Sequence, residues 1–405
     1  MKLNPIVLEK TNKALSANGG LVFLNQLIEQ LNLETKLSNF LPVKKKERGI
    51  TSFTKFKSGL MSFAPGSDCI DDLNELREEA LYKELCLGGI SSRAMGDFLR
   101  SFSSMSLENL GNELSDIALN LRMRTHPDDL DFILAMDSTP HEQTGVKMEG
   151  LAWNYKNMWC LDSQNAYDQF GYSYGFDLRA GNTFSAEGSE VMLRQIFKKV
   201  PARMKRYFRA DSAYGRVTVY NELINANVKF AIVLRENLGR HVRKMLMNKN
   251  SMKWVKTETN FFDSNECETA CGLYPIKDLA GGRSYLRVVF IRSKIKGKQL
   301  SLLEDPSEDG YQYYSIITNM DRSEKSDDAI IEFYRARANT ENFIREQKSG
   351  YDFHHFPCKK LSANKAYGLI GTIAYNLMRN LSFYLVKGGC FAKNAHHPCG
   401  RSSKM

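Results

Sequence analysis

Long hydrophobic runs are missing from this 405-residue chain. No apolar stretch reaches the roughly 18 residues that a membrane-crossing helix needs. The best candidate, Ala366 to Val386, is interrupted by Asn376, Arg379 and Asn380. The opening residues, Met-Lys-Leu-Asn-Pro-Ile-Val-Leu-Glu-Lys, are too polar for a secretory signal. Eight cysteines are present, but their scatter gives no disulfide framework and points to a reducing cytosol. A soluble cytoplasmic protein without a membrane partner is expected. Gly88-Gly89 and Gly388-Gly389 lack the residues of a phosphate-cradling loop, and no Ser/His/Asp or Cys/His order suggests a covalent hydrolase. Cys267-x3-Cys271 and Cys390…His396-His397-x-Cys399 are too irregular to read as a zinc site, and His354-His355 reads as a loop packing pair.

What the chain does have is positive charge. Lys and Arg number 56 against 46 Asp and Glu, a net +10 with a pI near 9.0. That balance favours a polyanionic partner, most simply nucleic acid. With 42% apolar and 25% charged residues the chain is globular and long enough for two or three domains.

Residues 1–125 read mainly as helices, with a basic loop at Lys44-Lys45-Lys46-Glu47-Arg48. The spacing predicts helices over Leu21–Leu33, Phe53–Phe63, Asp71–Cys86 and Ser91–Phe102. The last of these fits the recognition helix of a helix-turn-helix, and equally ordinary helix packing. Strand patterns follow at Asp131–Met136, Tyr172–Leu178, Tyr207–Ala210 and Val228–Leu234, with helices over Glu187–Lys199 and Val217–Ala226. This is a mixed α/β layer pattern. Residues 235–322 are β-rich and read as an insertion, a long helix begins near Ser326, and a second, apolar one covers 364–387. The tail 388–405 is small, polar and basic, and reads as disordered and shortened.

The long helix carries Tyr334, Arg337, Glu341 and Lys348, at offsets of three, seven and fourteen from the tyrosine, all on one stripe of a 3.6-residue period. A carboxylate flanked by cations suits a site that holds a metal ion and a phosphodiester together. Two upstream acids complete the donor set. Asp137 ends one apolar strand run and Asp211 ends another. Three carboxylates from distant segments match the few oxygen ligands that Mg²⁺ takes in two-metal phosphodiester chemistry. Arg209 and Arg216 bracket the second acid and read either as phosphate neutralisers or as surface charge.

The acids in this order, with Tyr-x2-Arg-x3-Glu-x6-Lys around the third, resemble the DDE transposases of bacterial insertion sequences, and more narrowly the insertion-sequence-four superfamily. Phe208-Arg-Ala-Asp-Ser212, Phe176-Asp-Leu-Arg-Ala-Gly-Asn182, Ile317-Thr-Asn319 and Ala374-Tyr-Asn-Leu377 look like its insertion-sequence thirteen-eighty branch. The resemblance spans about residues 15–385 and implies an α/β fold. That fold is a ribonuclease-H-like mixed sheet flanked by helices, with a β-rich insertion and a helical N-terminal domain. The implied domains are 1–125 for DNA-end binding, 126–234 and 323–387 for the catalytic core, and 235–322 for the insertion. Asp137, Asp211 and Glu341 would bind two Mg²⁺ or Mn²⁺ ions. Tyr334, Arg337 and Lys348 would grip DNA phosphates, and Trp254 would stack a base or else pack a strand. The partners implied are double-stranded DNA, as inverted repeats and target, and a second copy of the chain. The activity implied is cleavage at the transposon ends followed by strand transfer. An inactive DNA-binding relic and a purely hydrolytic nuclease are the alternatives.

Overall fold

Thr51, Ser91, Ser103 and Ser326 each precede an apolar-periodic run, and each accepts a hydrogen bond from the backbone N–H three residues on, at 3.0–3.3 Å. These caps satisfy donors that the first helical turn leaves open and fix where the helices start. The computed structural model describes residues 16–43, 49–67, 69–234, 252–257, 259, 261–262, 266–294 and 311–387. The basic loop 44–48, the tail 388–405 with its Cys390–Cys399 cluster, and much of the expected insertion lie outside the described residues.

Among the described residues seven helices come first: α1 (Leu21–Gln30), α2 (Leu33–Leu37), α3 (Ser52–Ser62), α4 (Leu73–Leu76), α5 (Ala80–Leu85), α6 (Ser92–Arg100) and α7 (Ser104–Thr125). Four strands follow: β1 (Asp131–Glu142), β2 (Ala152–Trp153), β3 (Trp159–Asp168) and β4 (Ser173–Ala180). Next come α8 (Ser189–Lys199), β5 (Lys205–Ala210), α9 (Val217–Asn225), β6 (Lys229–Val233), β7 (Val255–Thr257), β8 (Cys267–Pro275), β9 (Tyr285–Lys294) and β10 (Tyr311–Thr318). The described chain ends with α10 (Asp327–Arg335), α11 (Ala338–Gly350) and α12 (Leu361–Lys387).

Two expected helices are interrupted. Asp71–Cys86 is a 3-10 turn followed by α4 and α5, because Glu79 takes extended backbone angles and its carboxylate caps Tyr82 N at 2.7 Å. The helix expected from Ser326 is α10 and α11, broken at Ala336-Arg337. Strand β1 also runs further than its apolar run, through Asp137 to Glu142. Among the described residues no helix is long and apolar enough to cross a membrane.

The chain forms two compact units. The first holds residues 1–129, 138–184 and 342–405. Here β3 and β4 form an antiparallel hairpin, from Leu161 opposite Ala180 to Tyr167 opposite Ser173. Helices α7 and α12 are tied to it through polar pins. Ser115 Oγ donates to Tyr174 O at 2.7 Å, and Asn376 bonds both N and O of Ser173 at 2.8 and 2.7 Å. The motif residue Asn376 is therefore a staple between helix and strand. Gly368 lets α12 approach closely, since a Cβ there would stand 2.3 Å from the Phe176 ring. A fully buried ion pair joins Arg122 to Asp168 at 3.6 Å.

The second unit holds residues 130–137 and 185–341. Its strands follow the order β1-β5-β6-β10-β9-β8-β7. The first two pairings are parallel and the rest antiparallel, a mixed sheet in which β7–β10 extend the edge begun by β6. Alternation sorts its side chains onto two faces. Phe132, Phe208 and Phe230 point one way, where Phe197 of α8 meets Phe132 and Tyr220 of α9 stacks on Phe230. Ala231, Val289, Ile291 and Ile316 point the other way and bury Ile330, Ile331 and Tyr334 of α10. Asn319 of the Ile-Thr-Asn motif closes the junction, accepting from Phe230 N at 2.9 Å and donating to Val228 O at 2.8 Å. Both faces are covered by helices, as a mixed α/β sheet requires.

Candidate active site

Strands β1 and β5 lie side by side and parallel, and their last registered pair is Met136 with Ala210. The next positions are Asp137, within β1, and Asp211, just past the end of β5, so adjacent strands deliver two carboxylates just beyond their paired stretch. Both fall on the face covered by α10, in line with Ala135 and Arg209. Asp211 also caps the turn that follows it, accepting from Ala213 N at 2.9 Å. Glu341 stands in the first turn of α11, the helix end that favours negative charge, with its side chain 64% exposed.

Arg337, at the break between α10 and α11, joins these elements. Its Nη1 donates to Asp137 Oδ2 at 3.1 Å and its Nη2 to Glu341 Oε1 at 3.4 Å. Burial alone would depress this guanidinium, but Tyr334, Asp137 and then Asp211 overcome it and hold the group above its ordinary value. The family resemblance implies a contact between Arg337 and DNA phosphate. The structure places it as the cation among the carboxylates. No Gly or Pro marks the break at Ala336-Arg337, so the sequence carries no signal for this geometry.

Arg209 lies beneath the site, 4% exposed. Its Nη1 donates to Phe333 O at 3.1 Å, while its buried Nε has no hydrogen-bond partner. Burial, then the charge of Arg337, pulls it down to about 10. Tyr334 is buried in the α10 core, with its hydroxyl accepting from Tyr314 at 2.9 Å. Tyr314 and Phe333 thus support the site without a motif to announce them. Trp254 does not join the carboxylates: the Arg292 guanidinium covers its ring at 4.0 Å and also meets Tyr311 at 4.3 Å.

Lys348 belongs to the first unit, where Nζ donates to Pro140 O at 2.8 Å and burial lowers its pKa, partly offset by Cys160 and Glu142. Arg216 precedes α9. Cys267 is buried among the α10-facing residues of the sheet, and His354 and His355 are exposed. Ser91 and the α6 helix carry the expected cap.

The donors Asp137, Asp211 and Glu341 are all hard oxygen ligands, the type that Mg²⁺ and Mn²⁺ prefer. Among the described residues no three His, Cys, Asp or Glu side chains are gathered closely enough to hold a metal ion. In this conformation the positive charge among the acids is the Arg337 guanidinium, so the donor chemistry fits a divalent ion while the arginine holds two of the donors.

No curated protein matches the chain. Among solved structures it is similar to a Mos1 transposase paired-end complex with left transposon end, at 16% identity over 51% of this chain, with a TM-score of 0.18. The match covers 66% of that structure's chain, just under two thirds of its length. The family model described as transposase DDE domain group 1 matches residues 1–395. By that match over nearly its whole length, the chain belongs to the DDE transposases of domain group 1.

Proposed function

We propose that this transposase cuts DNA at transposon inverted repeats and joins the freed 3′-hydroxyl to target DNA, through a site made of Asp137, Asp211 and Glu341. The observation that carries the reading is the convergence of Asp137 and Glu341 on Arg337, with Asp211 at the end of the strand paired to β1. The three carboxylates would hold Mg²⁺ or Mn²⁺, which when bound would acidify an attacking water and stabilise the leaving oxygen. Arg337 pairs with Asp137 and Glu341 and would offer its charge to phosphate when DNA binds. Arg209 adds a second buried positive charge on the same face of the sheet. Tyr334 sets the end of α10, and through it the position of Arg337. Lys348 offers a compact charge to a further phosphate.

The parallel β1-β5-β6 arrangement supports a ribonuclease-H-like core, and the intact Tyr-Arg-Glu-Lys spacing supports the insertion-sequence-four superfamily and its thirteen-eighty branch. The helical segment 1–125 is proposed to bind transposon ends, in a homodimer assembled on DNA.

The test is metal-dependent cleavage and joining of labelled inverted-repeat DNA by wild type and Glu341→Gln. The variant should bind DNA normally and lose about a hundredfold or more in cleavage. Equal cleavage by both proteins would remove Glu341 from the site. Binding without cleavage by wild type would mark a DNA-binding relic, and cleavage without joining a hydrolytic nuclease.

A further inference from the structure

Two of the chain's three tryptophans, Trp153 and Trp159, flank the tight turn between β2 and β3 in the first unit. The turn displays its aromatic side chains to water: Trp153 is 63% exposed and Tyr155 82%. Its backbone is nonetheless firmly built. Asn154 N donates to Met158 O at 3.0 Å, and Asn154 Oδ1 accepts from the N–H groups of Lys156 and Met158 at 2.9 and 3.0 Å. Asn157 takes the left-handed φ of 56° that closes such a turn. Trp159 Nε1 donates to Gly145 O at 2.8 Å, and the rings of Trp153 and Trp159 lie 5.5 Å apart. The aromatic tip is therefore preorganised, and little ordering entropy opposes a ligand that stacks on it.

Charge around the tip favours a polyanion. Lys156 sits 5.5 Å from the centre of the Tyr155 ring, and Lys147 is exposed in the preceding loop. Exposed Lys359 and Lys360 border that loop, since Lys359 O accepts from Glu149 N at 2.8 Å. Of the acids nearby, Glu149 is engaged by Leu361 N at 3.1 Å, and Glu142 lies at the end of β1. Trp254, by contrast, has its face covered by Arg292. Exposed aromatic faces with lysines beside them are the composition of a single-stranded nucleic-acid platform, because every unpaired base has a π-face and every nucleotide a phosphate.

We infer that the β2–β3 tip is a base-stacking platform for a single-stranded stretch of DNA, with Trp153 and Tyr155 as the stacking faces and the lysines on the phosphates. This rests on the reading that the partner is DNA. The test uses the full chain carrying Trp254→Phe, so that its fluorescence reports Trp153 and Trp159 alone. It is titrated with short oligo-dT and, separately, with a duplex of mixed sequence. Oligo-dT should quench the emission. Adding Trp153→Ala and Tyr155→Ala should weaken oligo-dT binding, followed by anisotropy of labelled DNA, by about tenfold or more. Duplex affinity and thermal stability should stay as they were. Unchanged oligo-dT affinity in the variant would overturn the inference, as would an equal loss for both probes. A change in sedimentation with unchanged oligo-dT affinity would overturn it in favour of an interface between copies of the chain. If the parent protein binds neither probe, the DNA reading itself fails, a result distinct from binding that is indifferent to the tip.

Discussion

Replacing Arg209 by methionine separates stability from function at the site. The guanidinium is 4% exposed under α10, gives one hydrogen bond to Phe333 O, and leaves Nε unpartnered. Burial, reinforced by Arg337, lowers its pKa from the ordinary guanidinium range to about 10. A folded value below the unfolded one means that from about pH 10 up to the ordinary guanidinium range the unfolded chain holds more protons, so stability rises with pH across that window. At neutral pH the charged group carries the full penalty, which at 1.36 kcal/mol per unit is about 3 kcal/mol. Methionine fills a similar length without charge, and the lost hydrogen bond returns about 1 kcal/mol to the other side. Arg209→Met should therefore stabilise the protein by about 1–2 kcal/mol. The apparent Tm should rise by roughly 2–4 °C per kcal/mol. DNA cleavage should fall, since a positive charge beneath the carboxylates and beside Arg337 has gone. Thermal unfolding at pH 7.5 beside a cleavage assay measures both. A loss of more than about 1 kcal/mol would refute the reasoning, because it would mean that the charge is compensated in the fold.

Three further outcomes concern the first unit. Burial pushes Asp168 up to about 6 against the pull of Arg122, so its charged form is already costly, yet it is the fully buried carboxylate beside that guanidinium. Asp168→Asn should lose about 3 kcal/mol in urea unfolding, and adding Arg122→Met should recover most of it; additive losses would contradict the pairing. His141 is held between Phe353 O and Ser163 Oγ at 2.7 Å each, and burial, with Lys348 nearby, lowers its pKa to about 3. Its contribution is complete above pH 6.5 and drains away as pH falls towards 3, about 3 kcal/mol by pH 4. The drop in urea midpoint between pH 7 and pH 4 should shrink in His141→Gln, and an unchanged drop would count against this site. Gly181→Ala should leave little soluble protein, because the new Cβ would sit 2.0 Å from Cys160 O; normal yield and melting would show that the β3–β4 end can open.

Much of this organisation is legible in the residues themselves. The strand preceding Asp211, the helix starts near Ser91 and Ser326, and the mixed α/β order all follow from alternation, periodicity and capping. The departures have physical causes. Asp137 lies within β1 because the strand continues through polar residues, Ser138 to Glu142, that the apolar run does not predict. Arg337 leaves the expected stripe because Tyr334 must bury its ring in the α10 core while Glu341 keeps its carboxylate exposed, and a continuous helix would give both residues similar surroundings. Arg209 read as surface charge or phosphate contact from its neighbours. Only the register that places it beside Ala135 and Ala231, beneath α10, reveals its burial.

Neither compact unit is one continuous piece of chain. The hydrogen bonds from Asn376 to Ser173 and from Asn380 to Leu121 join residues 203 and 259 positions apart. Helix α7 and the β3–β4 hairpin must therefore wait, their apolar sides uncovered, until the whole second unit has been synthesised and α12 has followed it. Long-range closure of this kind is slow and leaves sticky intermediates. The second unit, bounded by residues 130 and 341, can close first, with Asp137, Asp211 and Glu341 all inside it. All three carboxylates thus belong to a unit whose residues precede α12, and they can be brought together before α12 docks on the first unit.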